Sequence, residues 1–306
     1  MKRVFIDGSA GTTGLRIAER MAARRDIDLI RLPEELRKDF SARRDALNGA
    51  DAAFLCLPDD AAREAAAMVE NPQTVVIDTS TAHRVAEGWV YGFPEIGLRE
   101  KIQHAKRIAN PGCHASGFIA LVAPLVQAGI IRRDACLSCF SLTGYSGGGK
   151  KMIAAYEAPG RDELLNAPRQ YGLSQRHKHL PEMQAYSGLD FAPAFCPIVA
   201  PYYAGMEVTV PLFPRDRAAS AAEIMHIYAS AYPGGTVRIS EAPEEGGFLS
   251  AGKLAGKDWM EISVLGNEDR LLLIARFDNL GKGASGAAIQ NMNLALGLEE
   301  EAGLVL

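Results

Sequence analysis

The first 22 residues constrain the fold more than any other stretch. Val4-Phe5-Ile6 is a short apolar run that stops at Asp7-Gly8-Ser9-Ala10-Gly11-Thr12-Thr13-Gly14. Beyond this glycine-rich turn, Leu15, Ala18, Met21 and Ala22 recur at helical spacing. Three more apolar runs follow: Leu29 to Leu32, stopped by Pro33, Ala53 to Leu57, stopped by Pro58, and Val75 to Ile77. A helical pattern, Ala61 to Val69, lies between the last two. None of these runs alternates apolar with polar residues, so both faces of each strand are expected to be covered. Buried strands alternating with helices predict a doubly wound parallel sheet of the Rossmann type.

The pattern changes beyond residue 130. Met206, Val208, Val210 and Leu212 alternate with polar Glu207 and Thr209, and Met260, Ile262 and Val264 with Glu261 and Ser263. Period-two alternation marks half-buried strands, usually antiparallel. A second, α+β domain is therefore expected, with loops at Gly147 to Gly149 and at 242–247. Ser285 to Leu298 has helical spacing, with Ser285 placed to cap it.

Composition excludes several classes. The 306 residues are 48% hydrophobic and 23% charged, an ordinary globular balance, with a net charge of −4. No basic tract points to nucleic acid or an anionic membrane. The longest greasy stretch, Phe118 to Ile131, is interrupted by Pro124 and Gln127 and is too short to span a bilayer. No signal-peptide core is present at the N-terminus. Five cysteines cannot all pair, so a cytoplasmic protein is expected.

Two segments carry chemistry. The glycine turn sits between a strand and a helix, where backbone N–H groups and the helix dipole receive a dinucleotide pyrophosphate. Its spacing is G-x-x-G-x-x-G, with Ala10 where the commoner motif has glycine; an ordinary tight turn can look the same. After the second strand, Arg31 favours a 2′-phosphate and NADP, whereas Glu34 favours the ribose hydroxyl of NAD. The other segment is Asn110-Pro111-Gly112-Cys113-His114-Ala115-Ser116. Its Pro-Gly turn places Cys113 at a helix N-terminus near the expected domain junction, where a thiolate nucleophile is stabilised.

The remaining cysteines read as packing residues. Cys56 and Cys196 lie in apolar runs, and Cys136 and Cys139 point to opposite faces of a strand with no second pair to complete a metal site. His177 and His179 stand together in a basic turn and offer acid/base groups for a thiolate enzyme. His114 is a less natural base because it adjoins Cys113. His83, His104 and His226 have no supporting pattern.

Together these segments resemble the N-acetyl-gamma-glutamyl-phosphate reductase family, in its short branch, related to aspartate-semialdehyde dehydrogenase and glyceraldehyde-3-phosphate dehydrogenase. The resemblance runs from end to end: Gly8 to Gly14, Asp78 to Arg84, Tyr91 to Glu95, Asn110 to Cys113, Gly144 to Lys150, His177 to Glu182, Asp278 to Gly286, and Gln290 to Asn293. It implies a discontinuous dinucleotide-binding domain, 1–113 with 281–306, around a catalytic and oligomerisation domain, 114–280. It implies reduction of N-acetyl-glutamyl 5-phosphate to the semialdehyde with NADP(H), through a thioester on Cys113, with His177 as acid/base and His179 as runner-up. Cofactor contacts are implied at Gly8, Ser9, Ala10, Gly11, Thr12, Thr13, Gly14, Arg31, Ser80, Gly147, Gly148 and Asn279. Substrate contacts are implied at Arg84, Asn110, His179, Arg176 and Lys150, with Arg169 and Lys178 as further cations. No metal is expected, and a homodimer or homotetramer is. The rival readings are a semialdehyde dehydrogenase for an aspartyl or lysine-pathway acyl phosphate, a non-catalytic nucleotide-binding protein, and a cysteine hydrolase.

Overall fold

In the computed structural model the described residues are 1–243 and 245–306; residue 244, inside the loop expected at 242–247, lies outside them. The chain forms two compact units, Met1–Pro111 with Ala284–Leu304, and Gly112–Gly283 with Val305–Leu306.

The first unit contains β1 (Lys2–Asp7), α1 (Thr12–Ala22), β2 (Ile27–Ile30), α2 (Phe40–Asn48), β3 (Ala52–Leu55), α3 (Asp59–Ala67), β4 (Val75–Asp78), β5 (Val90–Tyr91), α4 (Arg99–His104) and β6 (Arg107–Ala109). The strands form one parallel sheet in the order β2-β1-β3-β4-β6-β5. Two separate apolar clusters explain the unbroken apolar runs. Val4, Ile6, Ala52, Phe54, Val75 and Ile77 face one cluster, while Phe5, Ala53, Leu55 and Val76 face the other. Alternate residues along these strands thus enter different cores, so the central positions of β1, β3 and β4 are all apolar. The strands sit slightly earlier than the sequence suggests: β2 ends at Ile30 and β3 at Leu55, so Cys56 follows its strand. The third helix likewise starts at Asp59, where two aspartates favour a helix N-terminus.

The second unit contains α5 (Cys113–Gln127), β7 (Ser138–Gly144), α6 (Gly149–Glu157), β8 (Arg169–Gln170), α7 (Leu180–Ser187), β9 (Ala194–Ala200), β10 (Met206–Leu212), α8 (Ala221–Ala231), β11 (Val237–Ile239), β12 (Met260–Asn267) and β13 (Arg270–Phe277). Its seven strands run in the order β11-β12-β13-β10-β7-β9-β8, with antiparallel pairs at β12/β13, β13/β10, β10/β7 and β9/β8 and parallel pairs at β11/β12 and β7/β9. Helix α5 is apolar almost all round and is buried from His114 to Leu125. It lies close on the sheet at Gly117, where a Cβ would come within 2.5 Å of the Val208 side chain. Pro124 is accommodated inside α5 rather than ending it. Among the described residues, no helix is long and apolar enough to cross a membrane.

The chain then returns to the first unit as α9 (Gly286–Ala295), whose Ala288, Ile289 and Met292 complete the cluster that contains Val4 and Phe54. The expected cap at Ser285 does not form. A π-helical turn, Gly281–Ser285, leads into α9, and Ser285 has helical dihedrals with no side-chain cap. Gly147 to Gly149 is also not an open loop: Tyr145–Gly148 is a 3₁₀ turn and α6 begins at Gly149.

Candidate active site

The glycine turn is shaped by close approach. Gly8 has φ +86°, and a Cβ there would lie 2.3 Å from the Cys56 carbonyl oxygen. A Cβ at Gly14 would meet the Gly8 carbonyl at 2.5 Å, whereas one at Gly11 finds nothing nearer than 3.4 Å. Gly8 and Gly14 are therefore needed to build the turn, and Gly11 leaves its outer side open. Gly11 is the N-cap of α1 and supplies no side-chain cap, so the first-turn N–H groups of α1 carry the positive end of the helix dipole without one. Arg31 and Glu34 are both exposed just beyond β2. Buried Asp7, at the end of β1, is held by Arg43 at 2.9 Å; burial raises its pKa, against the opposing pull of that guanidinium.

Several expected contact residues of this unit are occupied internally. Asp78 accepts from the Ser80 N–H at 2.9 Å and from its hydroxyl at 2.7 Å. The same carboxylate meets His83 Nδ1 at 2.6 Å, and the His83 ring stacks on Trp89 with centroids 3.9 Å apart. No local pattern marks His83, because its partners are five residues back and six ahead. Arg84 is buried and donates to the carbonyls of Asn110 and Thr79. The Asn110 side chain donates to the Ala284 carbonyl and accepts from Asn291 Nδ2.

In the second unit, Cys113 is the first residue of α5 and Gly112 is its N-cap. The sulfur thus stands at the N-terminus of a 15-residue helix, where the dipole favours an anion. A Cβ at Gly283 would lie 2.9 Å from Cys113 Cβ, so the π-helical turn packs directly against Cys113. The buried Glu182 carboxylate joins two parts of the site. One oxygen accepts from the Gly112 N–H at 3.0 Å, and the other lies 4.0 Å from His179 Nε2. His179 N–H in turn donates to His177 Nδ1 at 3.2 Å.

His177 and His179 are 4.8 Å apart between ring centroids, and both rings adjoin His114, at 5.7 and 5.4 Å. His114 is buried beneath them. Its Nδ1 lies 2.6 Å from Ser141 Oγ and its Nε2 lies 2.6 Å from Tyr171 Oη. Burial, with the neighbouring His177, pushes the His114 pKa down to about 3, so its ring is neutral. Burial raises the Tyr171 pKa, and the nearby Cys113 raises it further.

The structure gathers Cys113, His177 and His179, and adds Tyr171, Ser141, Glu182 and His114, to which the sequence reading assigned no role. Nothing in the local pattern of Tyr171 or Ser141 marks them; pairing of β7 with β9, and of β8 with β9, brings them together. Arg176 and Lys178 flank His177 and are exposed, as are Arg169 and Lys150. Asn279 is buried in the second unit, donating to Ser146 Oγ and accepting from the Gly205 N–H, with Gly147 packed beside it and Gly148 next along the same 3₁₀ turn. Cys139 and Cys56 are raised well above an ordinary thiol by burial, Cys56 to about 12, which suits packing roles. Among the described residues no cluster of ligands could hold a metal ion.

Comparison with known proteins follows the two units. Residues 3–105 match the model of the semialdehyde dehydrogenase NAD binding domain, and residues 113–279 that of the semialdehyde dehydrogenase dimerisation domain. N-acetyl-gamma-glutamyl-phosphate reductase 2 of Nostoc sp. is 44% identical, with 99% of both chains covered. The N-acetyl-gamma-glutamyl-phosphate reductase of Sinorhizobium medicae is 47% identical, over 96% of this chain and 98% of the relative. Among solved structures, aspartate semialdehyde dehydrogenase II of Vibrio cholerae, complexed with ASA, superposes with a TM-score of 0.73 at 16% identity, over 97% of this chain and 98% of that one. The aspartate semialdehyde dehydrogenase of Candida albicans, with NADP, superposes at 0.65 and 15% identity, over 99% of each chain. These two likenesses concern the fold.

Proposed function

The chain belongs to the N-acetyl-gamma-glutamyl-phosphate reductase family, and we propose that it reduces N-acetyl-L-glutamyl 5-phosphate to N-acetyl-L-glutamate 5-semialdehyde with NADPH, a step of arginine biosynthesis. The observation that carries the chemistry is Cys113 at the first position of α5, among two loop histidines and a buried carboxylate. The substrate follows the relatives' shared name.

The glycine turn fits a dinucleotide. Gly8 and Gly14 hold it tight, Gly11 is open outward, and the α1 N–H groups face an anion without a competing cap. Residues Gly8 to Gly14 and Arg31 are the proposed cofactor contacts, with Arg31 selecting the 2′-phosphate. Ser80, Gly147, Gly148 and Asn279 are proposed to shape the cofactor's surroundings through backbone and packing, since the Ser80 hydroxyl is bonded to Asp78. When bound, NADPH supplies the hydride.

The Cys113 thiolate attacks the acyl carbon, forming the C–S bond while phosphate departs with the electrons of the broken C–O bond. First-turn N–H groups of α5 are suited to the oxyanion. The thiohemiacetal oxygen, an oxyanion once its carbon is reduced, takes up a proton and returns it to the same side chain as the C–S bond breaks and the thiolate re-forms. The two histidines divide the remaining work. His177 Nδ1 already accepts an N–H, so its neutral ring carries the proton on Nε2 and acts as a donor to oxygen. His179 lies beside Glu182, which supports a positive charge on its ring, so the proton transfer falls to His179. This reverses the order of preference drawn from sequence. Arg176 and Lys178, exposed beside His177, are proposed for the substrate's carboxylate and phosphate, with Arg84, Asn110 and Lys150 as further contacts.

The chain is further proposed to form a homodimer or homotetramer through the second unit's sheet. On the face away from α5, Phe140 is 46% and Leu272 39% exposed. A reducing compartment, the cytoplasm, keeps Cys113 active. The test is phosphate-dependent NADP⁺ reduction with purified protein. N-acetyl-glutamate semialdehyde is expected to turn over; turnover of aspartate semialdehyde with the N-acetyl compound inert overturns the assignment.

A further inference from the structure

At the carboxyl edge of the parallel sheet stands a histidine, His83, that the proposed chemistry leaves without a role. Asp7, Leu55 and Asp78 lie side by side in register at the ends of β1, β3 and β4. The loop after Asp78 therefore leaves the same edge as the glycine turn, two strand spacings or about 10 Å away. That loop is tightly built. Buried Asp78 accepts from Ser80 and His83, the Ser80 hydroxyl accepts from the Ala82 N–H, and Asp59 accepts from the Thr81 N–H at 3.0 Å. One face of the His83 ring lies on Trp89, with the two planes 10° apart. A carboxylate only accepts, so His83 Nδ1 carries a proton toward Asp78, 2.6 Å away. In the neutral ring Nε2 is then a lone-pair acceptor. It has no partner among the described residues, and the side chain keeps 12% of its surface exposed.

We infer that His83 is a further cofactor-binding residue, its Nε2 accepting a hydrogen bond from a ribose hydroxyl on the nicotinamide half of NADPH. This contact rests on the proposed dinucleotide role of the glycine turn. Strand order sets the direction in which the cofactor runs. With the pyrophosphate at the turn after β1 and the 2′-phosphate near Arg31 after β2, the adenosine half takes the β2 side. The nicotinamide half then runs the other way along the edge, over β3 toward β4 and its loop. The tautomer sets the chemistry of the partner. Phosphate oxygens only accept and cannot bond to the Nε2 lone pair, whereas a ribose hydroxyl donates to it. Asp78 and Trp89 are positioning residues: the carboxylate fixes the tautomer and the indole fixes the plane of the ring.

The test is calorimetric titration of the full-length protein with NADPH and, separately, with adenosine 2′,5′-bisphosphate, which carries the adenosine half alone. Neither titration needs a substrate. In His83→Asn the side-chain amide keeps an N–H where Nδ1 stood, so the bond to Asp78 is retained, but nothing reaches the position of Nε2. The Kd for NADPH is expected to rise about tenfold, the loss of one hydrogen bond, while the Kd for the bisphosphate stays within about twofold of the parent. Far-ultraviolet dichroism matching the parent establishes that the variant is folded; should His83→Asn lose it, His83→Phe, which keeps the stack on Trp89, is read by the same criteria. An NADPH affinity within about twofold of the parent overturns the proposal. So does an equal loss of affinity for both ligands, which would make His83 a support of its loop alone. A parent protein that binds neither ligand overturns the dinucleotide role itself, and the contact with it, a result distinct from the other two.

Discussion

The reactivity proposed for Cys113 comes from position rather than from an unusual neighbour in sequence. It opens α5, its turn is held by Glu182, and the backbone of Gly283 fits against its Cβ. Cys113→Ser is expected to lower turnover by about 10³-fold or more, because an alcohol is not appreciably ionised at neutral pH. Gly283→Ala places a methyl 2.9 Å from Cys113 Cβ and must displace one of the two. A loss of about 10–100-fold in kcat, with cofactor affinity retained by fluorescence titration, is expected from a shift of that kind. His114 gives a prediction of opposite type. Its pKa falls from 6.5 to about 3 in the folded chain. Below pH 6.5 the unfolded chain binds a proton that the folded chain refuses, so this residue's contribution to stability is complete above pH 6.5 and is lost as pH falls toward 3. Urea melts at pH 7 and pH 4.5 are expected to converge for His114→Gln relative to the parent. Cys113 was legible from its Pro-Gly turn and following apolar run. Tyr171 was not, since an isolated tyrosine after a two-residue strand carries no periodicity to read.

At the scale of elements, the strand–turn–helix at the N-terminus is set by steric room. Gly8→Ala forces an L residue to φ +86° and drives its Cβ into the Cys56 carbonyl, so a loss of about 2–3 kcal/mol or more is expected by chemical denaturation. Gly11→Ala meets neither obstacle and is expected to stay within about 0.5 kcal/mol, changing cofactor binding alone. The first turn and its helix were readable because apolar periodicity and glycine placement are local properties. Strand ends were less so: Leu32 and Leu57 are apolar and pack on the same cluster as Phe5 and Leu55, yet they lie beyond β2 and β3. Ser285 fails as a cap for a related reason. Its local sequence suits an N-cap, but the bond from the Gly283 N–H to the Asp278 carbonyl winds the chain into a π-helical turn before α9 begins.

Over the whole molecule, the dependence of the first unit on its last helix is the main consequence of the topology. Met292 and Ile289 are fully buried against strands of the parallel sheet as far back as β1, and Arg24 holds the tail by bonds to Asn293 Oδ1 and the Ala302 carbonyl. Met292→Ala is expected to destabilise this unit by about 2–5 kcal/mol, read as an earlier urea transition in cofactor-binding fluorescence. Both architectures, the glycine turn and the cysteine at a helix start were readable locally, because hydrophobic period, glycine spacing and a helix start are written within a few residues. Only the folded chain brings together the groups that meet Cys113 and its neighbours Gly112 and His114. Ser141, Tyr171, Gly283 and Glu182 come from different strands, loops and helices, and their meeting depends on strand order and pairing, which no local pattern encodes.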